Sequence, residues 1–355
     1  MKKHNFSAGP CILPQSVLKK SAEAVLNFNN SNLSLIEISH RSKDFVAVME
    51  NARNLALEHL GLQNKGYQAL FLQGGASLEF LMVAYNLLEK KAAYLNTGTW
   101  SDKAIKEAKL LGEIVEVATS KSDNFNFIPK NYSIPSDTDY FHCTSNNTIF
   151  GTQMRTFPET EIPMVCDMSS DIFSRQLDFS KFSLIYAGAQ KNMGPAGTTL
   201  VVIKEDILGK VSRAIPSMLN YKVHIDKESM FNTPAVFSVY VSMLTLEWLK
   251  DLGGISAIEK VNNRKAELLY NEIDRNPLFE GFVADKEDRS KMNATFNLKN
   301  DELKATFDDH LKQAGINGLN GHRSVGGYRA SMYNALPLES VQVLVDVMQT
   351  VEKGA

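Results

Sequence analysis

A chain of 355 residues, 44% hydrophobic and 22% charged, has ordinary globular composition. Its formal net charge of -2 gives no electrostatic reason to expect nucleic acid or an anionic membrane as partner. Cys11, Cys143 and Cys166 are far apart and form no CxxC pair, which argues against a disulfide framework or a zinc site and for a reducing compartment.

At the N-terminus, MKKHNFSAGPC has two lysines with no apolar stretch after them, unlike a signal peptide. Apolar residues recur at three- and four-residue spacing over 16–30 and 43–60 and predict two helices, the second stopping at Gly61. The rhythm then shortens. YQALFLQ predicts a strand, and GGASLEFLMVAYNLLEK a glycine turn running into a helix. AAYLNT and GTWSDKAIKEAKLLG repeat strand, turn and helix, with Ser101 as the expected cap, and EIVEVAT is another strand. YFHCTS, MVCDMSS, FSLIYAGAQ and TTLVVIKE are further short apolar runs.

Strands alternating with helices predict an α/β fold with a mostly parallel sheet covered on both faces. Ligands of such sheets bind beyond the carboxyl ends of the strands. That singles out Gly74 to Ser77, Gly98 to Trp100, Thr144 to Thr148, Asp167, Gln190 and Lys191. Residues 230 to 246 are uncharged, but Pro234 interrupts them and Glu247 ends them, so they read as a buried helix rather than a membrane span. Thr233 is the expected cap of that helix, with Pro234 in its first turn. AIEKVNNRKAELLYNEI is a long amphipathic helix, and the helix, mixed strands and helix from about residue 260 suggest a smaller α+β domain.

No GxGxxG follows a strand and no GxxxxGK[ST] occurs, which disfavours a nucleotide-dependent oxidoreductase. LFLQGGASLEF is either a plain tight turn or a helix N-terminus open to a phosphate. A lone lysine such as Lys191 in YAGAQKNMGPAG is usually a surface residue, and a carboxylate such as Asp167 in VCDMSS usually caps the next segment. Together they mean more: a carbonyl cofactor needs a lysine amine, and a pyridine nitrogen is kept protonated by a carboxylate. Trp100 is a core residue or a plane on which a flat cofactor stacks. The pairs His40-Arg41 and His322-Arg323, with Arg329, suggest a substrate carrying more than one acidic group. His142 beside Cys143, and Cys11, read as packing.

FSAGP, SHRSKDF, YAGAQKNMGPAG and GHRSVGGYRASMYNALP, in that order over essentially the whole chain, resemble the phosphoserine aminotransferases, class-V pyridoxal-phosphate enzymes of fold type I. The resemblance implies a large domain over 16–258, with a mixed, mostly parallel seven-stranded sheet between helices, and a small α+β domain from 1–15 and 259–355. It makes Lys191 the covalent anchor of pyridoxal phosphate, Asp167 the partner of the pyridine nitrogen, Trp100 the stacking ring and Thr148 a hydrogen bond near the ring hydroxyl. Ala76, Ser77 and Gln190 are implied to hold the cofactor phosphate, with Asn232 and Thr233 supplied by the second subunit of a homodimer. Arg329 is implied to hold the substrate carboxylate, and His40 and Arg41, with His322 and Arg323 from the other subunit, the substrate phosphate. Some relatives have Gly-Arg in place of Ala76-Ser77, which leaves the phosphate to backbone amides and a hydroxyl here, and some have serine in place of Ala8. The implied reaction is reversible transamination between glutamate and 3-phosphohydroxypyruvate, giving phosphoserine and 2-oxoglutarate, in a cytoplasmic enzyme. In some relatives a step of pyridoxal phosphate synthesis is added. The alternatives are another fold-type I aminotransferase, such as one for alanine and glyoxylate, and a non-catalytic binding protein.

Overall fold

The structure is a computed structural model and describes residues 3–354. In chain order its elements are β1 (His4–Asn5), α1 (Gln15–Leu26), α2 (Lys43–Leu60), β2 (Tyr67–Leu72), α3 (Gly75–Leu87), β3 (Lys91–Asn96), α4 (Thr99–Ala108) and β4 (Glu113–Thr119). Then come β5 (Phe141–Thr144), β6 (Met164–Asp167), β7 (Leu184–Gly188), β8 (Thr199–Lys204), α5 (Tyr221–Asp226), α6 (Val236–Asp251) and α7 (Gly254–Arg275). The last are β9 (Phe279–Gly281), β10 (Asn293–Leu298), α8 (Lys304–Gln313), β11 (Ile316–Asn317), β12 (Tyr328–Ser331) and α9 (Leu338–Gly354).

Seven strands form one sheet in the order β2-β8-β7-β6-β5-β3-β4. Only β8 runs antiparallel to its neighbours, and the rest are parallel. A parallel sheet covered on both sides buries both faces of each strand, so its strands read as continuous apolar runs. Every residue of β5, β6 and β7 is accordingly buried. Alternate residues serve opposite layers. Cys166 packs with Phe45, Ala52 and Leu246 of α2 and α6, whereas its neighbour Val165 packs with Phe80, Met82 and Ile105 of α3 and α4.

β9, β10 and β12 form a second, antiparallel sheet, and β1 pairs in parallel with β11. A separate apolar cluster joins Phe6 to Leu269, Phe279, Phe296, Phe307 and Leu344. The N-terminal strand is thus stitched to the last third of the chain.

The predicted elements differ from the observed ones at three ends. The first helix stops at Leu26 instead of residue 30, because Asn27 turns extended and Asn29 takes a left-handed conformation, φ 50°. Ser101 lies inside α4 and not at its cap: its hydroxyl reaches back to accept the backbone N–H groups of Thr97 and Gly98, each at 3.0 Å. Thr233 does not cap α6, which begins at Val236 with Ala235 before it. Its carbonyl instead accepts a bond from Gln73 Nε2 at 2.8 Å. The second helix ends as expected: Ser42 caps its start through the Phe45 N–H, and Gly61 closes it at φ 64°. No helix among the described residues is long and apolar enough to cross a membrane, and the uncharged 230–246 stretch is largely the buried α6.

Candidate active site

The carboxyl ends of β2, β3, β5, β6 and β7 open on one cleft. It is lined by Ala76, Ser77, Trp100, Asp167, Gln190 and Lys191, together with Gly75, Phe80, Thr144, Asn146, Ser169 and Ser170. A larger groove of about 540 Å³ lies at the opposite end of the sheet, around Met164 and Lys204. Lys181 pairs with Glu159 there and Lys204 with Asp206, and the groove holds none of the residues singled out at the strand ends.

Lys191 is half-buried in the loop after β7, and its Nζ donates to Thr148 Oγ1 at 2.7 Å. Burial pulls its proton affinity down to about 8, the Arg329 charge works in the same direction, and Asp167, Asp171 and Cys11 oppose them. The amine also lies 5.9 Å from the Trp100 ring centre. Asp167 ends β6, 5% exposed, and its Oδ1 accepts the Ser169 N–H at 2.9 Å. Burial raises its carboxyl above the ordinary range, while the Ser169 bonds and the Lys191 charge hold it back. It is a buried carboxylate short of a cation.

Gln190 folds back over Gly188, where a Cβ would stand 2.7 Å from Gln190 Oε1, so that contact requires the glycine. Ala76 and Ser77 occupy the first turn of α3, whose free N–H groups favour an anion. Arg329 comes from β12, across the cleft. Its Nη1 reaches the Thr148 carbonyl at 3.3 Å, while its Nε is buried with no partner.

These features fit pyridoxal phosphate. Trp100 Nε1 and Thr144 Oγ1 are buried polar atoms with no partner at the cleft wall, Asp167 lacks a cation, and the α3 N-terminus lacks an anion. A ring with a protonated nitrogen, polar substituents and a phosphate supplies what each is missing.

The remaining sequence candidates are not in this cleft. Asn232 lines a different, mostly apolar cavity with Gln73, Gly74 and His224, and Thr233 adjoins it through the Gln73 bond. Arg41 is exposed, whereas His40 is half-buried with Nε2 unpartnered. His322 and Arg323 lie in a turn that Val325 anchors to Trp100, Phe125, Phe150 and Phe282. His322 bonds Ser324 through Nδ1 at 2.7 Å, and burial with the Arg329, Arg323 and Lys103 charges depresses its proton affinity. Cys11 is structural, as expected: its thiol donates to the Lys191 carbonyl, and burial pushes it up to about 12. His142 is likewise internal, bonded to the Tyr186 hydroxyl at 2.8 Å.

Asn146 falls within the Thr144 to Thr148 stretch that the sequence singled out, whereas sequence reasoning missed Ser169 and Ser170. The two serines sit inside the quoted VCDMSS run, so proximity to Asp167 was an available signal.

The class-V aminotransferase family model matches residues 3–344. The chain is 73% identical over 354 residues to the phosphoserine aminotransferase of Flavobacterium psychrophilum, covering 99% of each chain. Among solved structures it superposes with a TM-score of 0.96 and 47% identity on a phosphoserine aminotransferase studied for radiation damage of its Schiff base, covering 100% of both chains. The pyridoxal-phosphate-bound phosphoserine aminotransferase of Trichomonas vaginalis matches with a TM-score of 0.93 and 35% identity, over 98% of this chain and 100% of that one.

Proposed function

The chain belongs to the class-V aminotransferase family, and from that premise we propose that it transfers an amino group reversibly between glutamate and 3-phosphohydroxypyruvate, yielding 2-oxoglutarate and phosphoserine for serine biosynthesis. It is a pyridoxal-phosphate-dependent enzyme. The observation that carries the reading is the depressed Lys191 amine beside Asp167 at the strand ends.

When bound, the cofactor supplies an aldehyde carbon to which amino groups attach and a ring that takes up the electrons left at the substrate α-carbon. Lys191 would hold that aldehyde between turnovers, and its freed amine would take the proton from the substrate α-carbon and deliver it to the cofactor's aldehyde-derived carbon. The amine must be neutral to do so, and burial brings its proton affinity within reach of physiological pH. Asp167 would face the ring nitrogen and keep it protonated. Trp100, in the cleft wall, would cover one face of the ring and exclude water. Ala76, Ser77 and Gln190 hold the cofactor phosphate through α3 amides, a hydroxyl and a carboxamide. Thr148 lies beside the amine, and Arg329 binds the substrate α-carboxylate with its free guanidinium edge.

The working form is a homodimer, with Asn232 and Thr233 completing the partner's cofactor-phosphate site and His322 and Arg323 joining His40 and Arg41 across the boundary to bind the substrate phosphate. Two observations support this. Asn232 lines a cavity separate from that of Lys191 in its own chain. Leu18, Leu33, Ile36 and Val46, from neighbouring stretches of chain, are exposed apolar residues of the kind that mark an interface. The separate apolar cluster around Phe6 and Leu344 supports dividing the chain into 16–258 and 1–15 with 259–355. Three free cysteines fit a cytoplasmic setting.

The test is a half-reaction. Phosphoserine added to the holoenzyme converts its cofactor band in a single phase, and alanine at the same concentration leaves it unchanged. Equal conversion by alanine refutes the substrate assignment.

A further inference from the structure

Lys191 lies in a turn that closes on itself: the Met193 and Gly194 N–H groups both bond the Ala189 carbonyl, at 3.2 and 2.8 Å. Its neighbour Asn192 is 6% exposed and has no part in the scheme above. The Asn192 side chain uses both of its ends on main chain. Oδ1 accepts the Asn334 N–H at 3.0 Å, and Nδ2 donates to the Ser170 carbonyl at 3.2 Å. A backbone N–H can only donate and a backbone carbonyl can only accept, so these partners fix which end of the amide is which. Ser170 stands three residues after Asp167, and Asn334 five after Arg329. One carboxamide therefore joins the main chain beside Lys191 to the two segments that carry the other charged groups of the cleft.

The anchors are themselves fixed. Asn334, 4% exposed, donates through Nδ2 to the Phe173 carbonyl at 3.0 Å, and its Oδ1 accepts Asn262 Nδ2–H of α7 at 2.9 Å. On the other side of the lysine, the Cys11 N–H bonds the Gln190 carbonyl at 3.2 Å and the Cys11 thiol bonds the Lys191 carbonyl. Arg329 is held in β12 opposite Thr295 of β10, independently of Asn192. A lysine stem is four flexible carbons long. What the fold can fix is the place of the main chain that carries it.

We propose that Asn192 is a positioning residue for Lys191: its carboxamide holds the lysine's main chain in place relative to Asp167 and Arg329, so that the amine reaches both carbons between which it carries the proton. The inference rests on the reading of Lys191 as the proton carrier. Reach matters because transfer within a site is fast only from near contact, and about 1 Å of misplacement costs on the order of a hundredfold. Alanine makes neither bond, and aspartate cannot donate to the Ser170 carbonyl. The groups that act on the amine, which are Asp167, Asp171, Arg329, Cys11 and the Trp100 ring, keep their identity in both variants.

The test is Asn192→Ala in the enzyme loaded with pyridoxamine phosphate, where the Lys191 amine is free. The single-turnover rate with 3-phosphohydroxypyruvate is expected to fall about ten- to a hundredfold, with less than about threefold change in half-saturation. Titration of the amine is followed by pH-dependent competitive acetylation, read by mass spectrometry of the Lys191 peptide. Its midpoint is expected to rise by roughly one pH unit, because a released stem reaches water and burial is the main cause of its depression. A normal rate, or a fallen rate with an unmoved midpoint, overturns the proposal. A disturbance of the whole site is separated in a Lys191→Ala background, with added methylamine carrying the proton. There Asn192→Ala is expected to change the rate less than about twofold, and an undiminished loss refutes a role through Lys191. If Asn192→Ala fails to fold, Asn192→Asp keeps the Asn334 bond; its rate is expected to fall about tenfold at the plateau of its pH profile, and a wild-type plateau sinks the idea. Lys191→Ala without added amine tests the underlying reading separately: turnover there removes Lys191 as the carrier, whereas a dead Lys191→Ala beside a normal Asn192→Ala removes only the role of Asn192.

Discussion

The pH dependence of α-proton removal follows from the surroundings of one amine. Moving Lys191 from an ordinary 10.5 to about 8 amounts to roughly 3 kcal/mol of preference for the uncharged form. At pH 7 that leaves about one amine in ten neutral, against roughly three in ten thousand for an ordinary lysine. A single-turnover rate measured with saturating α-deuterated and ordinary glutamate isolates the proton-removal step. From pH 7 to 8 it is expected to rise about fivefold, and from pH 8 to 9 less than twofold, as the neutral fraction saturates. Sign and cause can be checked together. Asp167 raises the Lys191 proton affinity and Arg329 lowers it. In the titration of the free amine, Asp167→Asn should therefore move the midpoint down and Arg329→Gln should move it up. A rate that climbs tenfold per pH unit through pH 9 would refute burial as the cause, as would one flat from pH 6.

Lys191→Ala should abolish turnover while leaving a folded protein, as judged by circular dichroism; normal activity removes the residue from the mechanism. Arg41→Ala should raise the half-saturating phosphoserine concentration far more than that of glutamate, since only the former carries a phosphate. Subunits carrying Lys191→Ala and Arg323→Ala, each inactive with phosphoserine alone, should recover roughly a quarter of wild-type activity when randomly mixed, because half the dimers regain one complete site. No recovery would place Arg323 in the site of its own chain. Glu79 is fully buried, bonded by the Tyr221 hydroxyl at 2.6 Å, and burial pushes its carboxyl up to about 8. A carboxyl whose folded affinity is raised takes up a proton on folding, so its contribution is lost as pH rises toward 8. Glu79→Gln should therefore stabilise the protein at pH 8 by up to about 4 kcal/mol relative to its effect at pH 4.5, measured by urea unfolding. Equal effects at the two pH values would contradict a buried, proton-linked carboxyl.

Lys191 and Asp167 stood out in the sequence because each follows a short apolar run, and a strand buried on both faces cannot hide its end. The order of strands and helices carried the α/β layering for the same reason: burial on both faces writes itself into hydrophobic runs. Helix ends were less legible. Ser101 and Thr233 look like caps, but whether a hydroxyl caps depends on where the neighbouring backbone N–H groups lie, and here Ser101 serves the two residues before the helix.

Tyr333 marks the boundary between the two kinds of information. In SMYNALP it is one apolar-looking residue among others, and no spacing distinguishes it. Its partners come from Ala8 and Asn293, which folding alone brings to one phenol. The sequence by itself determined which residues lie at the strand ends, because hydrophobic burial is a local, periodic property. The hydrogen bond between Lys191 and Thr148 was decided only by tertiary structure, because the two residues sit on different strand ends that only sheet assembly brings together.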